Sequence, residues 1–207
     1  VVNEMLKNPA QLRLGGEKKE LTVLFSDIRG FTTISEQMEP EALVHFLNQY
    51  LTRMTNVIFR HEGLVDKYMG DAIMAIFGAP LPQLDHALKA CLAALDMTHE
   101  MRKMQEAELS QNTPKLVAGI GINTGWMVVG NMGSESRFDY TVLGDNVNLG
   151  SRLEGLNREY GTNIIISEFT YEKIKDQLLC RELDLVRVKG KDKPVRVYEV
   201  LNRLEAP

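Results

Sequence analysis

Two cysteines, one tryptophan and no apolar run near the roughly 20 residues of a membrane-spanning helix set the first limits on this 207-residue sequence. Cys91 falls in an apolar helical pattern and Cys180 opens a strand-like run. Two buried free thiols in a reducing compartment therefore fit better than a disulfide, and the expected location is cytoplasmic. The N-terminus lacks the basic-then-apolar layout of a signal peptide, and it begins with Val1, as expected of a piece processed or excised from a longer protein. Clustered basic residues are also missing. Lys and Arg number 24 against 28 Asp and Glu, a net charge of -4, so no nucleic-acid partner is expected. With 44% hydrophobic residues the chain can bury one sizeable core. The expected organisation is a helix and linker from an upstream module over residues 1–19, a single domain over 20–201 and a tail over 202–207.

Residues 64–78 organise the rest. Two short runs of strand-forming residues, Leu64–Met69 and Ala72–Phe77, are joined by Gly70-Asp71, which predicts a tight hairpin with one carboxylate at its tip. Alternation puts Ile73 and Phe77 on one face, with Lys67 just before the turn and its ammonium near the same rim. Such a tip could hold a polyphosphate and its metal, or be a salt-bridged surface turn. Earlier, Leu21-Thr22-Val23-Leu24-Phe25 predicts a strand covered on both faces. Asp27 falls at its C-terminal end, before a Gly-containing turn and a helical turn near Thr32. There the amides of residues 28–32 could face an anion, or Asp27 could simply cap the helix that follows.

Helical spacing recurs in Pro40–Arg60, where Leu43, Leu47, Tyr50, Met54 and Val57 form a stripe, and again over residues 85–108. Strands are predicted over 116–123 and 126–132, separated by a turn at Asn123-Thr124-Gly125, and over 138–143 after a polar excursion. A helix from about Asp145 carries Asn148 and Arg152 four residues apart, hence on one face. A strand over 163–166, a helix over 168–175 and a strand pair over 180–189 and 195–200, around Lys189-Gly190-Lys191, complete the chain. The order of elements is that of an α+β fold with a ferredoxin-like βαββαβ core and a C-terminal αβ extension, an antiparallel sheet with both core helices on one face. Its first and third strands are neighbours, so Asp27 and Asp71 should meet at one edge. Two carboxylates that close repel unless cations bridge them, and Mg²⁺ or Mn²⁺ would suit while leaving positions for phosphates.

Phe25-Ser26-Asp27-Ile28-Arg29-Gly30-Phe31-Thr32, Lys67-Tyr68-Met69-Gly70-Asp71, Gly121-Ile122-Asn123-Thr124-Gly125, Tyr140-Thr141-Val142-Leu143-Gly144-Asp145-Asn146-Val147-Asn148, Ser151-Arg152-Leu153-Glu154 and Val188-Lys189-Gly190-Lys191 stand in an order and spacing that resembles the class III nucleotidyl cyclase catalytic domain, with its palm-like fold. The resemblance is to the bacterial homodimeric type and covers residues 20–201. It implies a head-to-tail homodimer with two equivalent interface sites that convert ATP to 3′,5′-cyclic AMP and pyrophosphate. In each, one copy would supply Asp27 and Asp71 as ligands of two divalent ions, with the Ile28 carbonyl as a further ligand, and the backbone of Gly30, Phe31 and Thr32 for the terminal phosphates. The other copy would supply Lys67 and Thr141 to the purine, Asn148 to the ribose, Arg152 to the reacting phosphate and Lys189 to the pyrophosphate.

Lys67 can donate to N1 of adenine, where guanine carries a proton, so the pair with Thr141 points to ATP. Relatives that make cyclic GMP typically carry Glu and Cys at these positions. Thr141 also resembles the bicarbonate-stimulated subgroup, which makes bicarbonate a possible regulator. Many relatives have Arg at the position of Gly119, and its absence shifts the triphosphate grip onto Lys189 and the metals. The family's habit of following sensor modules implies an upstream partner. A guanylyl cyclase, a cyclic-dinucleotide synthase and a silent nucleotide-binding dimerisation module are the alternatives.

Overall fold

The computed structural model describes residues 14–108, 116–187 and 193–204. In chain order the elements are β1 (Gly15–Ile28), α1 (Phe31–Glu36), α2 (Pro40–Arg60), β2 (Leu64–Met69), β3 (Ala72–Phe77), α3 (His86–Glu108), β4 (Ala118–Ser134), β5 (Arg137–Leu143), α4 (Asp145–Tyr160), β6 (Ile164–Ser167), α5 (Glu168–Ile174), β7 (Leu178–Val186) and β8 (Val195–Arg203). The strands form one sheet in the order β2-β3-β1-β4-β6-β8-β7, with β5 paired to the far part of β4. β1 is antiparallel to both β3 and β4, so the first and third strands of the βαββαβ core do lie side by side. The extension adds β6 parallel to β4 and then an antiparallel β8–β7 pair.

Strand alternation divides the core into two layers. Leu24, Ile28, Ile73, Ala75, Phe77, Ile120 and Ile122 face α2 and α3, both on one side of the sheet. Ile73 and Phe77 share that face as expected. From α2, Phe46, Tyr50, Met54, Val57 and Ile58 are buried there, each large apolar side chain contributing roughly 1.5–3 kcal/mol of transfer free energy. Leu21, Val23, Phe25, Met74 and Ile76 face the other way and meet Val142 of β5 and Val147 of α4. α4 thus covers the opposite face.

The expected turn at Asn123-Thr124-Gly125 is not a turn. β4 runs unbroken through it and pairs with β1 from Ala118 to Asn131. Its alternate residues Gly119, Gly121 and Gly125 form a trough under α4: a Cβ at residue 121 would lie 2.1 Å from the Glu154 backbone nitrogen, and one at residue 125 would lie 2.5 Å from Asn146 Nδ2. Asn123, on the same face, donates to the Asn146 carbonyl at 2.7 Å. These small residues stand in the strand because α4 packs directly onto them, through its backbone at Gly121 and through the Glu154 and Asn146 side chains at Gly119 and Gly125.

Other boundaries move for equally local reasons. Residues 15–19, expected in the linker, belong to β1, where Lys18 pairs with Val128 and lies 5.8 Å from the Trp126 ring. β8 continues into the expected tail as far as Arg203. Cys91 is buried but Cys180 only partly so, and both are free thiols. The helix expected within residues 1–13 and the turn at Lys189-Gly190-Lys191 lie outside the described residues. Among those described, no helix is long and apolar enough to cross a membrane.

Candidate active site

The two acids meet at the end of β1. Asp27 lies between buried Ser26 and Ile28, and register places it opposite Gly119 on the α4 side of the sheet. Asp71 sits in the β2–β3 turn, behind Gly70 at φ 67°, a left-handed backbone that costs glycine nothing. Its Oδ2 accepts the Ile28 backbone N–H at 3.1 Å, which fixes the carboxyl beside β1. Burial, then the hydrogen bond and charge of Asp71, then the charge of Glu154 push the Asp27 pKa up to about 7, against a smaller opposing effect of the Ile28 backbone. A pair that holds a proton near neutrality is one that a divalent cation would relieve, and its oxygens suit a hard ion. Among the described residues no three His, Cys, Asp or Glu side chains converge on one point. Further ligands would therefore be backbone carbonyls such as that of Ile28, and substrate.

Gly30, Phe31 and Thr32 follow directly. Gly30 is the N-cap of α1 at φ 68°, and its carbonyl accepts the Ile34 N–H at 3.1 Å. The first N–H groups of such a turn have no partner within the helix. Beside them Arg29 donates through Nη2 to the Asn157 carbonyl at 3.4 Å and feels the charge of Glu154. Glu154 was not singled out from sequence. Burial pushes its pKa up, Arg29 opposes this and Asp71 adds to it. A Cβ at residue 119 would lie 2.7 Å from Glu154 Oε1, so this carboxyl occupies the space over Gly119. An arginine there would displace it.

Lys67 and Thr141 are brought together, through a residue that sequence reasoning also missed. The β2–β3 register shifts between Val65 and Lys67, leaving Asp66 as the extra residue of a bulge. The Asp66 side chain is fully buried. Its Oδ2 accepts the Thr141 hydroxyl at 2.5 Å, and its Oδ1 lies 3.4 Å from Lys67 Nζ. The lysine ammonium is thus paired with Asp66. A bulge gives no signal in sequence.

α4 carries the remaining pair. Val147, Leu149 and Leu153 are buried, Asn148 is exposed and Arg152 is half-buried one turn later on the same side. Arg152 makes no ion pair with any described residue, which leaves its guanidinium for an external anion. Lys189 lies outside the described residues. Nearby on β4 and β5, Trp126, Val128 and Leu143 are 58%, 41% and 58% exposed, and Val128 pairs directly with Leu143.

The sequence matches the family described as "Adenylate and Guanylate cyclase catalytic domain" over residues 16–202, and the chain belongs to this family. It is 43% identical over 188 residues to an adenylate cyclase of Anabaena cylindrica, covering 88% of this chain and 37% of that protein. Three curated adenylate cyclases that it matches, this one among them, are much longer, the chain spanning 37% or less of each. Among solved structures, the adenylyl cyclase CyaB from P. aeruginosa superposes with a TM-score of 0.85 at 40% identity, over 91% of this chain and 97% of that one. The guanylyl cyclase Cya2 gives 0.83, also at 40%, over 93% and 96%. Backbone likeness thus leaves the purine undecided, and side chains must argue it.

Proposed function

We propose that this domain converts ATP to 3′,5′-cyclic AMP and pyrophosphate at sites shared by two copies of the chain. The observation that carries the reading is the Asp27–Asp71 pair, two carboxyls forced together where phosphates can reach them. In the proposed site Asp27, Asp71 and the Ile28 carbonyl of one copy hold two Mg²⁺ or Mn²⁺ ions. When bound, such ions stabilise charge on the attacking and leaving oxygens of an in-line displacement. The backbone N–H groups of Gly30, Phe31 and Thr32 hold the terminal phosphates.

The second copy orients the rest. Lys67 donates to N1 of adenine and Thr141 accepts from its 6-amino group, Asn148 fixes the ribose, Lys189 meets the pyrophosphate and Arg152 the α-phosphate. The ribose 3′ oxygen bonds to the α-phosphorus as the bond to pyrophosphate breaks, and the hydroxyl proton passes to solvent. Positioning and charge neutralisation supply most of the acceleration in such phosphoryl transfers. The exposed Trp126, Val128 and Leu143 support a second copy at this face, since contiguous apolar surface marks an interaction site. An upstream sensor module, a cytoplasmic location and stimulation by bicarbonate belong to the same reading.

The test is incubation with ATP or GTP in Mn²⁺ or Mg²⁺, comparing the chain with Asp71→Ala. Cyclic AMP formed by the unaltered chain and lost in the variant is the expected result. Preferential cyclic GMP would make it a guanylyl cyclase, and no metal-dependent pyrophosphate release would make it a silent module.

A further inference from the structure

We propose that Asp66 sets the choice of base, by fixing which hydrogen-bonding face Thr141 and Lys67 present to the purine. The inference rests on the reading that those two residues meet the base. A threonine hydroxyl has one hydrogen to donate and two lone pairs. Free to rotate, it would accept from an amino group or donate to a carbonyl equally well. Here the hydrogen is committed: Thr141 donates to Asp66 Oδ2 at 2.5 Å, and the carboxylate is shielded from water that could compete. Thr141 can then offer only lone pairs outward.

The same carboxylate holds the other half. Asp66 Oδ1 has no hydrogen-bond partner and lies 3.4 Å from Lys67 Nζ, so it anchors an ammonium that has only N–H donors to offer the base. One acceptor beside one donor complements adenine, whose 6-amino group donates and whose N1 accepts. Guanine reverses both positions, with a carbonyl at C6 and a proton on N1. It would set acceptor against acceptor and donor against donor. The β2 bulge makes this possible, because only the extra residue turns the Asp66 carboxylate toward Thr141 while Lys67 keeps its pairing with Met74.

The experiment measures kcat/KM for ATP and GTP in the unaltered chain, Asp66→Asn, Thr141→Val and the double variant, with melting curves to establish folding. In Asp66→Asn the amide can turn its oxygen to Lys67 and its NH₂ to Thr141, releasing the hydroxyl hydrogen toward the base. The ATP:GTP ratio should fall at least about 10-fold in each single variant, and the double should fall no further than the larger of them, because both act through one hydrogen. An unchanged ratio in Asp66→Asn with a lowered one in Thr141→Val overturns the role of Asp66 and spares the purine reading. An unchanged ratio in Thr141→Val overturns both.

A substrate series in the unaltered chain needs no variant to fold. Purine riboside triphosphate, with neither group at C6, should fall between ATP and inosine triphosphate. Inosine triphosphate used as well as, or better than, the purine analogue would show an unfixed hydroxyl and overturn the proposal.

Discussion

Gly121→Ala should damage stability and catalysis together, because one added methyl lies between the sheet and the helix that carries Asn148 and Arg152. The new Cβ would lie 2.1 Å from the Glu154 nitrogen, 2.5 Å from the Gly150 oxygen and 2.7 Å from the Glu154 Cα. All three are backbone atoms of α4, so no side chain can turn aside. Ordinary contact begins near 3.4 Å, and α4 must retreat by about 1 Å. Retreat unpacks Leu149 and Leu153, both fully buried, and lifts Gly150 from Val23 and Phe25. Overpacking of this kind costs on the order of 1–3 kcal/mol or more. For a domain of this size that lowers Tm by roughly 2–12 °C. A displacement of about 1 Å in positioning groups costs on the order of 10²-fold in rate. Melting by circular dichroism and cyclic AMP formation under saturating ATP measure the two effects. Gly155→Ala is the control, since nothing lies within 4 Å of a Cβ on that exposed residue of the same helix, and alanine should leave stability equal or higher. A Gly121→Ala protein with unaltered Tm and kcat would refute the close seating of α4.

Arg152→Ala should lower kcat by on the order of 10²-fold or more with a small change in KM, the signature of a cation that meets transition-state charge, measured by steady-state kinetics. Mn²⁺ should raise the Tm of the unaltered chain but not of Asp71→Ala, and the rise should grow from pH 6 to 8 as Asp27, pushed up to about 7, gives up its proton more readily. His86, buried with Nδ1 2.8 Å from Thr22 Oγ1, has its pKa pushed below the usual histidine value by burial. Its neutral form favours the fold, so stability present above about pH 6.5 should be lost as pH falls through the depressed folded-state pKa. The Tm difference between His86→Gln and the unaltered chain should accordingly narrow from pH 8 to pH 5.

The hairpin, the strand–helix order and the meeting of Asp27 with Asp71 were legible because each follows from short-range alternation and one topology. What sequence misread was the interior use of polar and small residues. Asn123-Thr124-Gly125 reads as a turn, yet Asn123 Oδ1 accepts from Ser167 at 2.6 Å, and Thr124 hydrogen-bonds Thr22 at 2.7 Å and Thr170 at 3.0 Å inside the protein. Those partners are 44, 102 and 46 residues away, beyond any local pattern. Asp66 was passed over for a similar reason, since its partner Thr141 lies 75 residues on.

Glu154 and Arg152 show what the helix adds to such long-range contacts. At 3.6 residues per turn, positions two apart point about 200° from each other, whereas Asn148 and Arg152, four apart, diverge by only about 40°. Glu154 is the residue turned toward the sheet, over Gly119 and within the field of this chain's own Asp27 and Asp71. Arg152, on the same helix, is then turned away from those acids, and no described residue forms an ion pair with it. A cation proposed to meet a phosphate bound beside such an acid pair is badly placed to do so for its own chain. The simplest geometry that uses both is two copies facing each other, with the Asp27–Asp71 end of each opposite the Asn148–Arg152 face of the other.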